Sequence, residues 1–274
     1  MIGHHLYAKL TWADVNDAVM QDKAIVIPVG AIEQHGPHLP IDTDNLIVCS
    51  ICEEAAARAS KIMLCAPPIH FGFNEHNMDF PGTVSVWPGH FVDYCFDVAE
   101  SLARQGFRNI VFVNGHGSNA ILLEVSARLV NLKTNSQCAS LSYWSLLGDV
   151  VSTLRESPYP GGMAHACELE TSLYLYLSES DVEMAKAVME INPSGSKFIF
   201  DDLMGASPVK YVDHWSKHST TGIHGDPTLA TREKGKAFFE TAVESLIQVC
   251  EDMRKVDFGV RKSHLASHNQ CPHD

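Results

Sequence analysis

A carboxylate and an imidazole stand two residues apart just after the first strongly apolar run of the sequence. Glu33 and His35 follow residues 24–29, AIVIPV, and extended backbone places both side chains on one face. Such a pair is a natural set of ligands for a first-row divalent metal. Asp44 opens the next helical segment and has two oxygens that can bridge two metals. The spacing leaves open that the acidic residues are caps and turn residues, with a solvated histidine.

A second histidine stands in a glycine-flanked loop, residues 114–119, NGHGSN. The two glycines allow a tight turn that points His116 into a crevice. Together with Ala120 they also satisfy G-x-G-x-x-A, a dinucleotide-binding pattern that would indicate an NAD-dependent oxidoreductase. Against that reading, the strand at 138–143 ends without the acidic residue that holds a ribose, and His116 would crowd a pyrophosphate. A loop histidine that only makes hydrogen bonds is the remaining alternative.

A third segment contains His165 and Glu168, three residues apart, which predicts that they are neighbours on one helical face. Glu170 is two residues beyond Glu168 and would point roughly the opposite way on a regular helix. A plain helix start with Glu170 near the positive end of the helix dipole is the alternative, and the spacing leaves open whether Glu168 or Glu170 is a metal ligand. The glycines at 161 and 162 precede this segment and could form a mobile flap.

A long polar loop, residues 71–83, follows the second predicted strand and is placed to form a pocket wall. Asn74 or His76 could touch a substrate there, with ordinary loop hydrogen bonding as the alternative for each. The sequence has no G-x-S-x-G elbow, no H-E-x-x-H and no P-loop, so common serine hydrolases, zincins and P-loop enzymes are set aside.

Short apolar runs that alternate with amphipathic stretches must position these segments. Strands are predicted at 24–29, 61–66, 109–113 and 138–143, and helices at 44–59, 89–105, 118–133, 168–177 and 233–254. This alternation predicts an α/β fold of three layers, α/β/α, with a mostly parallel central sheet. Ligands of such sheets bind at the carboxyl ends of the strands, where the candidate residues stand. We expect one domain over residues 1–257 and a poorly ordered polar tail over 258–274.

Composition narrows the classes of partner. The 274 residues carry 20 Lys and Arg against 33 Asp and Glu, a formal net charge of −13, which argues against a nucleic-acid partner. No apolar run approaches the roughly 18 residues of a membrane span, so no membrane partner is expected. The 15 histidines are about twice the average usage and raise metal or proton chemistry as a question. Eight scattered cysteines and the lack of a secretory leader predict reduced thiols in a cytoplasmic protein.

The motifs in combination resemble those of the creatininase (creatinine amidohydrolase) family. They occur in the family's order over about residues 25–172, and a later segment at 218–227 is also similar: GAIEQHGPHLPIDTD, FPGT, NGHGSN, HACELETS and HSTTGIHGDP. The resemblance implies a creatininase-like α/β fold and a dinuclear, metal-dependent amide hydrolase. It further implies two divalent ions per subunit, Zn²⁺, Mn²⁺ or Fe²⁺, and a homo-oligomer, usually a hexamer.

The resemblance also implies roles for individual residues. Glu33 and His116 would hold one metal and His35 the other, with Asp44 bridging them. Residues 117–118, Gly-Ser, stand where creatininase proper has Tyr-Glu, and that Glu is a ligand. This difference argues against creatinine as the substrate and leaves one ligand position open. Glu168 is the candidate to fill it, because the family's H-A-G-E variants carry a Glu there.

The expected reaction is hydrolysis of a C–N amide bond, other than a peptide bond, of a small cyclic or linear amide by a metal-activated water. His165 is the expected proton shuttle, since it lies beside the ligands and can titrate near neutrality, and Glu168 is the alternative base. Four residues are candidates for contact with the small-molecule substrate: Asn74, His76, Gly117 and Ser118. A deformylase, or a hydrolase of a lactone or cyclic ketone, would use the same site, and a catalytically inactive binding protein is the remaining alternative.

Overall fold

The structure is a computed structural model that describes residues 4–192, 194–257, 259, 262 and 264. Four strands form one sheet in the order β2–β1–β3–β4, and all neighbours are parallel: β1 (Ala24–Val29), β2 (Met63–Cys65), β3 (Asn109–Asn114) and β4 (Gln137–Ser142). Val29 of β1 pairs with Asn114 of β3, which pairs with Ser142 of β4, so the three strands end level at one edge. The predicted tail at 258–274 lies almost wholly outside the described residues.

Seven α-helices surround this sheet in the described part of the chain: α1 (Trp12–Met20), α2 (Thr43–Arg58), α3 (Pro88–Arg104), α4 (Ala120–Lys133), α5 (Gly148–Leu154), α6 (Glu168–Ser178) and α7 (Arg232–Met253). Alternate residues of β1 face opposite layers. Val26 packs in a core with α2, α5, α6 and α7, while Ile25 and Ile27 pack in a second core with α1, α3 and α4. All six residues of β1 are buried, as expected of a parallel sheet covered on both faces. The three-layer α/β/α prediction is confirmed.

Two of the strands stand apart from the main sheet. β5 (Met163–His165) pairs antiparallel with β6 (His224–Gly225), and this short ribbon leads directly into α6. Between β5 and α6, Ala166 has a φ of 51°, in the left-handed region that residues other than glycine rarely adopt. This turn separates His165 from α6, so the expectation that His165 and Glu168 share a helical face is wrong.

The remaining differences from the predicted elements are small. Strand β2 covers three residues, whereas the sequence indicated 61–66. Helices α1 and α5 were not predicted, because each spans nine residues or fewer. Within the described residues, no helix is both long enough and apolar enough to cross a bilayer.

Candidate metal centre

Five buried acidic and imidazole side chains come together beyond the carboxyl ends of β1 and β3: Glu33, His35, Asp44, His116 and Glu170. Asp44, in the first turn of α2, lies at their centre. Its Oδ1 is 3.3 Å from His35 Nε2, and its Oδ2 is 3.2 Å from His116 Nδ1. One carboxylate therefore faces two imidazoles with different oxygens, as a bridging ligand does.

Each imidazole has a carboxylate of its own besides Asp44. Glu33 Oε1 lies 2.8 Å from His116 Nδ1, and Glu170 Oε1 lies 3.7 Å from His35 Nε2. The arrangement is thus two groups of three side chains that share Asp44. Four of the five residues were predicted as ligands, and the structure brings those four together.

The atoms that face away from the cluster are held by the protein. His116 Nε2 lies 3.1 Å from the carbonyl oxygen of Phe73, and His35 Nδ1 lies 3.3 Å from that of Glu33. These nitrogens carry a proton for the carbonyl oxygens. The opposite nitrogen of each ring faces the carboxylates of the cluster, and it is the one that an ion would bind in place of a proton. Asn77 Nδ2 donates to Glu33 Oε2 at 2.6 Å, and this fixes the other carboxylate oxygen toward His116. Outward bonds of this kind orient metal ligands in proteins.

A glycine makes the close approach of these segments possible. A Cβ atom at Gly115 would lie 2.7 Å from the carbonyl oxygen of Asp44 and in tight van der Waals contact with the side chain of Val48. Only glycine lets the end of β3 lie this close to the start of α2. The next residue, His116, is carried beside Asp44 as a result.

The charges of the cluster favour a cation. In the described part of the chain, the charged partners of Glu33, Asp44 and Glu170 are imidazoles alone. Burial opposes the charged form of Glu33, but the neighbouring His116 and His165 hold the pKa of its carboxyl well below the usual value. Burial likewise opposes the charge of His116, yet Glu33 and Asp44 raise its pKa to about 10.

Two buried atoms of the cluster also lack a hydrogen-bond partner among the described residues, His35 Nε2 and Asp44 Oδ2. Unpaired buried polar atoms are costly, and a bound ion would satisfy both. Buried carboxylate oxygens and imidazole nitrogens without Lys or Arg are the donors that Zn²⁺, Mn²⁺ and Fe²⁺ accept. The residues present fit a pair of divalent ions.

His165 lies beside the cluster at the end of β5. Its Nε2 is 2.8 Å from the carbonyl oxygen of Gln34, and its Nδ1 is 3.7 Å from Glu33 Oε1. Burial is the main cause that lowers the pKa of this ring, with help from nearby His35. The lowered pKa favours the neutral imidazole, in which one nitrogen is anchored to the backbone and the other faces the cluster.

Glu168, predicted as a ligand and alternative base, lies elsewhere. Its Oε1 forms a buried ion pair with Lys234 Nζ at 2.6 Å, and its Oε2 accepts from the Ser157 backbone at 2.9 Å. Because α6 begins at Glu168, after the turn at Ala166, this side chain points away from His165. Glu170, one half-turn further on, points toward His35 in its place.

The predicted substrate residues are placed differently from one another. Asn74 is completely buried, and its amide donates to backbone carbonyls at Ile32 and Val84, so it supports the loop. His76 is half-buried at the cluster, with its Nδ1 3.4 Å from Ser118 Oγ. Gly117 is exposed and borders open space.

One residue at the site, Trp215, escaped the sequence analysis. The indole of Trp215 lies edge-on to two imidazoles, with ring centroids 5.4 Å apart for His165 and 5.9 Å apart for His76. It is tilted against the ring of His224, with centroids 5.5 Å apart. Its Nε1 donates to the carbonyl oxygen of Gly222 at 3.0 Å. No spacing pattern marks Trp215, because it lies in a long irregular segment that reaches the cluster only through tertiary packing.

Comparison with known proteins identifies relatives of this chain. The family model described as creatininase, creatinine amidohydrolase, matches residues 8–250. A mycofactocin precursor peptide peptidase of Mycolicibacterium smegmatis is 32% identical over 223 residues, which cover 80% of this chain and 81% of the relative. A 3-dehydro-scyllo-inosose hydrolase of Thermotoga maritima is 26% identical over 90% of this chain and 83% of the relative.

Solved structures agree with this relationship. A creatinine amidohydrolase (creatininase) superposes with a TM-score of 0.80 and 25% identity, over 93% of this chain and 99% of that one. A structure named creatininase Mn superposes with a TM-score of 0.78 and 25% identity, over 91% and 98% of the two chains. The family match extends over most of the chain and the fold agrees, so this protein belongs to the creatininase family and is a metal-dependent amidohydrolase.

Proposed function

We propose that this protein hydrolyses a C–N amide bond of a small cyclic or linear amide at the Asp44 cluster. The observation that carries the proposal is the sharing of one carboxylate between two buried ligand groups, with the free nitrogen of His165 next to them. Shared carboxylates are typical of two-metal hydrolytic sites. Glu168, held by Lys234, has no part in this proposal.

Each ion would have three protein ligands from the cluster. Glu33, Asp44 and His116 would hold one ion, and His35, Asp44 and Glu170 the other. Two divalent ions bound there would lower the pKa of a water molecule and polarise a substrate carbonyl. Zn²⁺, Mn²⁺ and Fe²⁺ are all compatible with these donors.

His165 would move the proton. We assign the ring proton to Nε2, which lies 2.8 Å from the Gln34 carbonyl oxygen, so the proton of the attacking water would be accepted at Nδ1. The same nitrogen then donates to the nitrogen that leaves the substrate. Trp215 packs against this ring and would keep it oriented.

The relatives differ in the bond that their names describe, so the substrate class needs a direct test. Purified protein loaded with Zn²⁺ or Mn²⁺ would be assayed against creatinine, small linear amides, formylated amines, short peptides, lactones and cyclic ketones. We expect about two ions per subunit and turnover of an amide. Turnover of a lactone or cyclic ketone alone would mean that the same site cleaves a different kind of bond.

The matched variants are His165→Ala at the site and His90→Ala, an exposed histidine of α3. We expect the first to lose at least 100-fold in rate while both ions stay bound, since general acid–base catalysis contributes about 10²–10⁴-fold. The second should resemble the parent protein. Full activity of His165→Ala, or failure of the parent to retain ions, would contradict the proposal.

Two further proposals concern the choice between a hydrolase and an NAD-dependent enzyme, and the oligomeric state. The loop that resembled a dinucleotide site turns His116 toward two carboxylates, which disfavours a pyrophosphate there and supports a hydrolase over an NAD-dependent enzyme. Family analogy favours a homo-oligomer, usually a hexamer, which light scattering during gel filtration would measure.

A further inference from the structure

We propose that His76 is an additional ligand of the ion held by Glu33, Asp44 and His116, an inference that rests on the proposed function. A ring nitrogen of His76, a carboxylate oxygen of Glu33 and a ring nitrogen of His116 all lie within 4.8 Å of one another. Donor atoms this close together can hold one ion after small movements of the side chains. The sequence had indicated His76 only as a residue that could touch substrate.

The backbone that carries His76 is attached to the cluster. His76 lies in a single 3₁₀ turn, Glu75–Asn77. The next residue, Asn77, is buried, donates through Nδ2 to Glu33 Oε2 at 2.6 Å and accepts from Gln34 Nε2 at 3.2 Å. The turn is therefore bonded to a proposed ligand and to the residue after it, and this fixes how far His76 stands from the ion.

Neighbouring rings restrict the orientation of the imidazole. His76 stacks on His116 with ring centroids 5.9 Å apart and planes 23° apart, and Trp215 meets it edge-on at 5.9 Å. A face contact and an edge contact together leave few rotamers open. The side chain is thus positioned before any ion binds, which lowers the entropic cost of ligation.

The two nitrogens of His76 can divide their work as those of His35 and His116 do. Ser118 Oγ lies 3.4 Å from His76 Nδ1, so this nitrogen has an oxygen partner on the protein. We assign the ring proton to Nδ1, which then donates to this hydroxyl, and the other nitrogen carries the lone pair that an ion needs. In His35 and His116, too, one nitrogen is bonded to a protein oxygen and the other faces the cluster.

The consequence is that the two ions are not equivalent. The ion beside His76 would have four protein donors, two oxygens and two nitrogens, while the ion beside Glu170 would have three. A site with four protein donors is closed, whereas a site with three keeps a position open for water or substrate. We expect the His76 site to fill first and to hold its ion more tightly.

The test compares His76→Ala with His224→Ala, because both imidazoles contact Trp215 but His224 is in none of the ligand groups. Metal-free protein would be titrated with Co²⁺ and followed by visible absorption and calorimetry, and bound Zn²⁺ would be counted after dialysis. His76→Ala should bind one ion at least 10–100-fold more weakly, with a changed Co²⁺ spectrum. Mutation of a residue that only orients a metal ligand already lowers metal affinity by that factor. His224→Ala should bind both ions as the parent does. His76→Gln, which keeps a polar side chain, would serve if the alanine variant failed to fold.

The possible outcomes separate this inference from the proposed function. A parent protein that binds fewer than two ions would contradict the two-ion site itself. A parent that binds two, together with a His76→Ala protein of equal affinity and spectrum, would overturn only the role of His76. Equal weakening in both variants would also overturn it, since the effect would then come from the packing of Trp215.

Discussion

Glutamine substitutions at Glu168 and Glu170 should separate the stability of the fold from metal binding. The two residues belong to the same turn of α6 and have the same chemistry, yet they face different surroundings. Glu168 pairs with Lys234, and Glu170 faces His35. A carboxamide keeps the shape of either side chain and removes its charge.

The cost of Glu168→Gln follows from its partners. Removing one partner of a buried ion pair costs about 3–5 kcal/mol when the other charge is left uncompensated. Here Lys234 would keep the carboxylate of Glu156 at 2.6 Å and the Leu229 carbonyl at 2.8 Å, and the carboxamide oxygen could still accept from Ser157. We therefore expect a loss of about 2 kcal/mol, which lowers the Tm by about 4–8 °C for a domain of this size. Metal content should not change.

The effect of Glu170→Gln should be the reverse. In metal-free protein the change removes one partner of His35, but Asp44 Oδ1 stays 3.3 Å from that ring, so the Tm should fall less than in Glu168→Gln. In metal-loaded protein the ion beside His35 loses a charged ligand. We expect one ion in place of two and activity below detection, with the ion beside His116 retained.

Both variants would be measured by thermal unfolding in chelator and by elemental analysis after loading. Glu124→Gln is the matched control and should change neither quantity. Glu124 is exposed on α4, and among the residues that the structure describes its charged partner is Arg128 alone. If Glu168→Gln loses an ion and Glu170→Gln keeps both, the ligand set derived from this geometry is incorrect.

Three further predictions concern the segments around the cluster. Gly222→Ala would place a Cβ 1.9 Å from Gln34 Oε1 at a φ of +88°, so we expect a loss of about 2 kcal/mol or more in urea unfolding and weaker Zn²⁺ binding by calorimetry. Ala166→Gly should relieve the left-handed backbone and raise the stability of metal-free protein by about 0.5–1 kcal/mol, measured by thermal unfolding, and an unchanged or lower Tm would argue against strain there. Burial opposes the charge of Glu190, but hydrogen bonds led by that from Thr221 hold its pKa at about 2. Its contribution is present above pH 4.5 and lost as pH falls toward 2, so the stability gap between the parent and Glu190→Gln should narrow between pH 7 and pH 3.

The sequence was sufficient for the sheet and for four of the five clustered residues. Buried parallel strands are continuous apolar runs, and Glu33, His35, Asp44 and His116 all lie within about fifteen residues of a strand end. The pairing of β1 with β3 therefore brings them to the same edge of the sheet.

The parts that the sequence could not provide depend on tertiary structure. Glu168 and Glu170 are distinguished by where α6 begins, and that depends on the left-handed turn at Ala166, which an alanine does not signal. Asn74 was expected near substrate, but its amide donates hydrogen bonds to backbone carbonyls, which come near it only in the folded loop. Trp215 reaches the cluster across a large sequence distance, and no periodicity predicts such a contact.

The position of Glu170 on α6 makes the cluster a cross-link between distant parts of the chain. The other four residues follow β1 and β3, whereas Glu170 belongs to the helix that leaves the β5–β6 ribbon. Bound ions would tie that helix to the main sheet, and their binding free energy would then oppose local opening of this part of the fold. Amide hydrogens in the first turns of α6 should exchange more slowly in metal-loaded protein, while those of α4, which contributes no ligand, should keep their rates. Proteolysis of the ribbon should slow in parallel, so the ions would protect the enzyme from degradation as well as serve its chemistry.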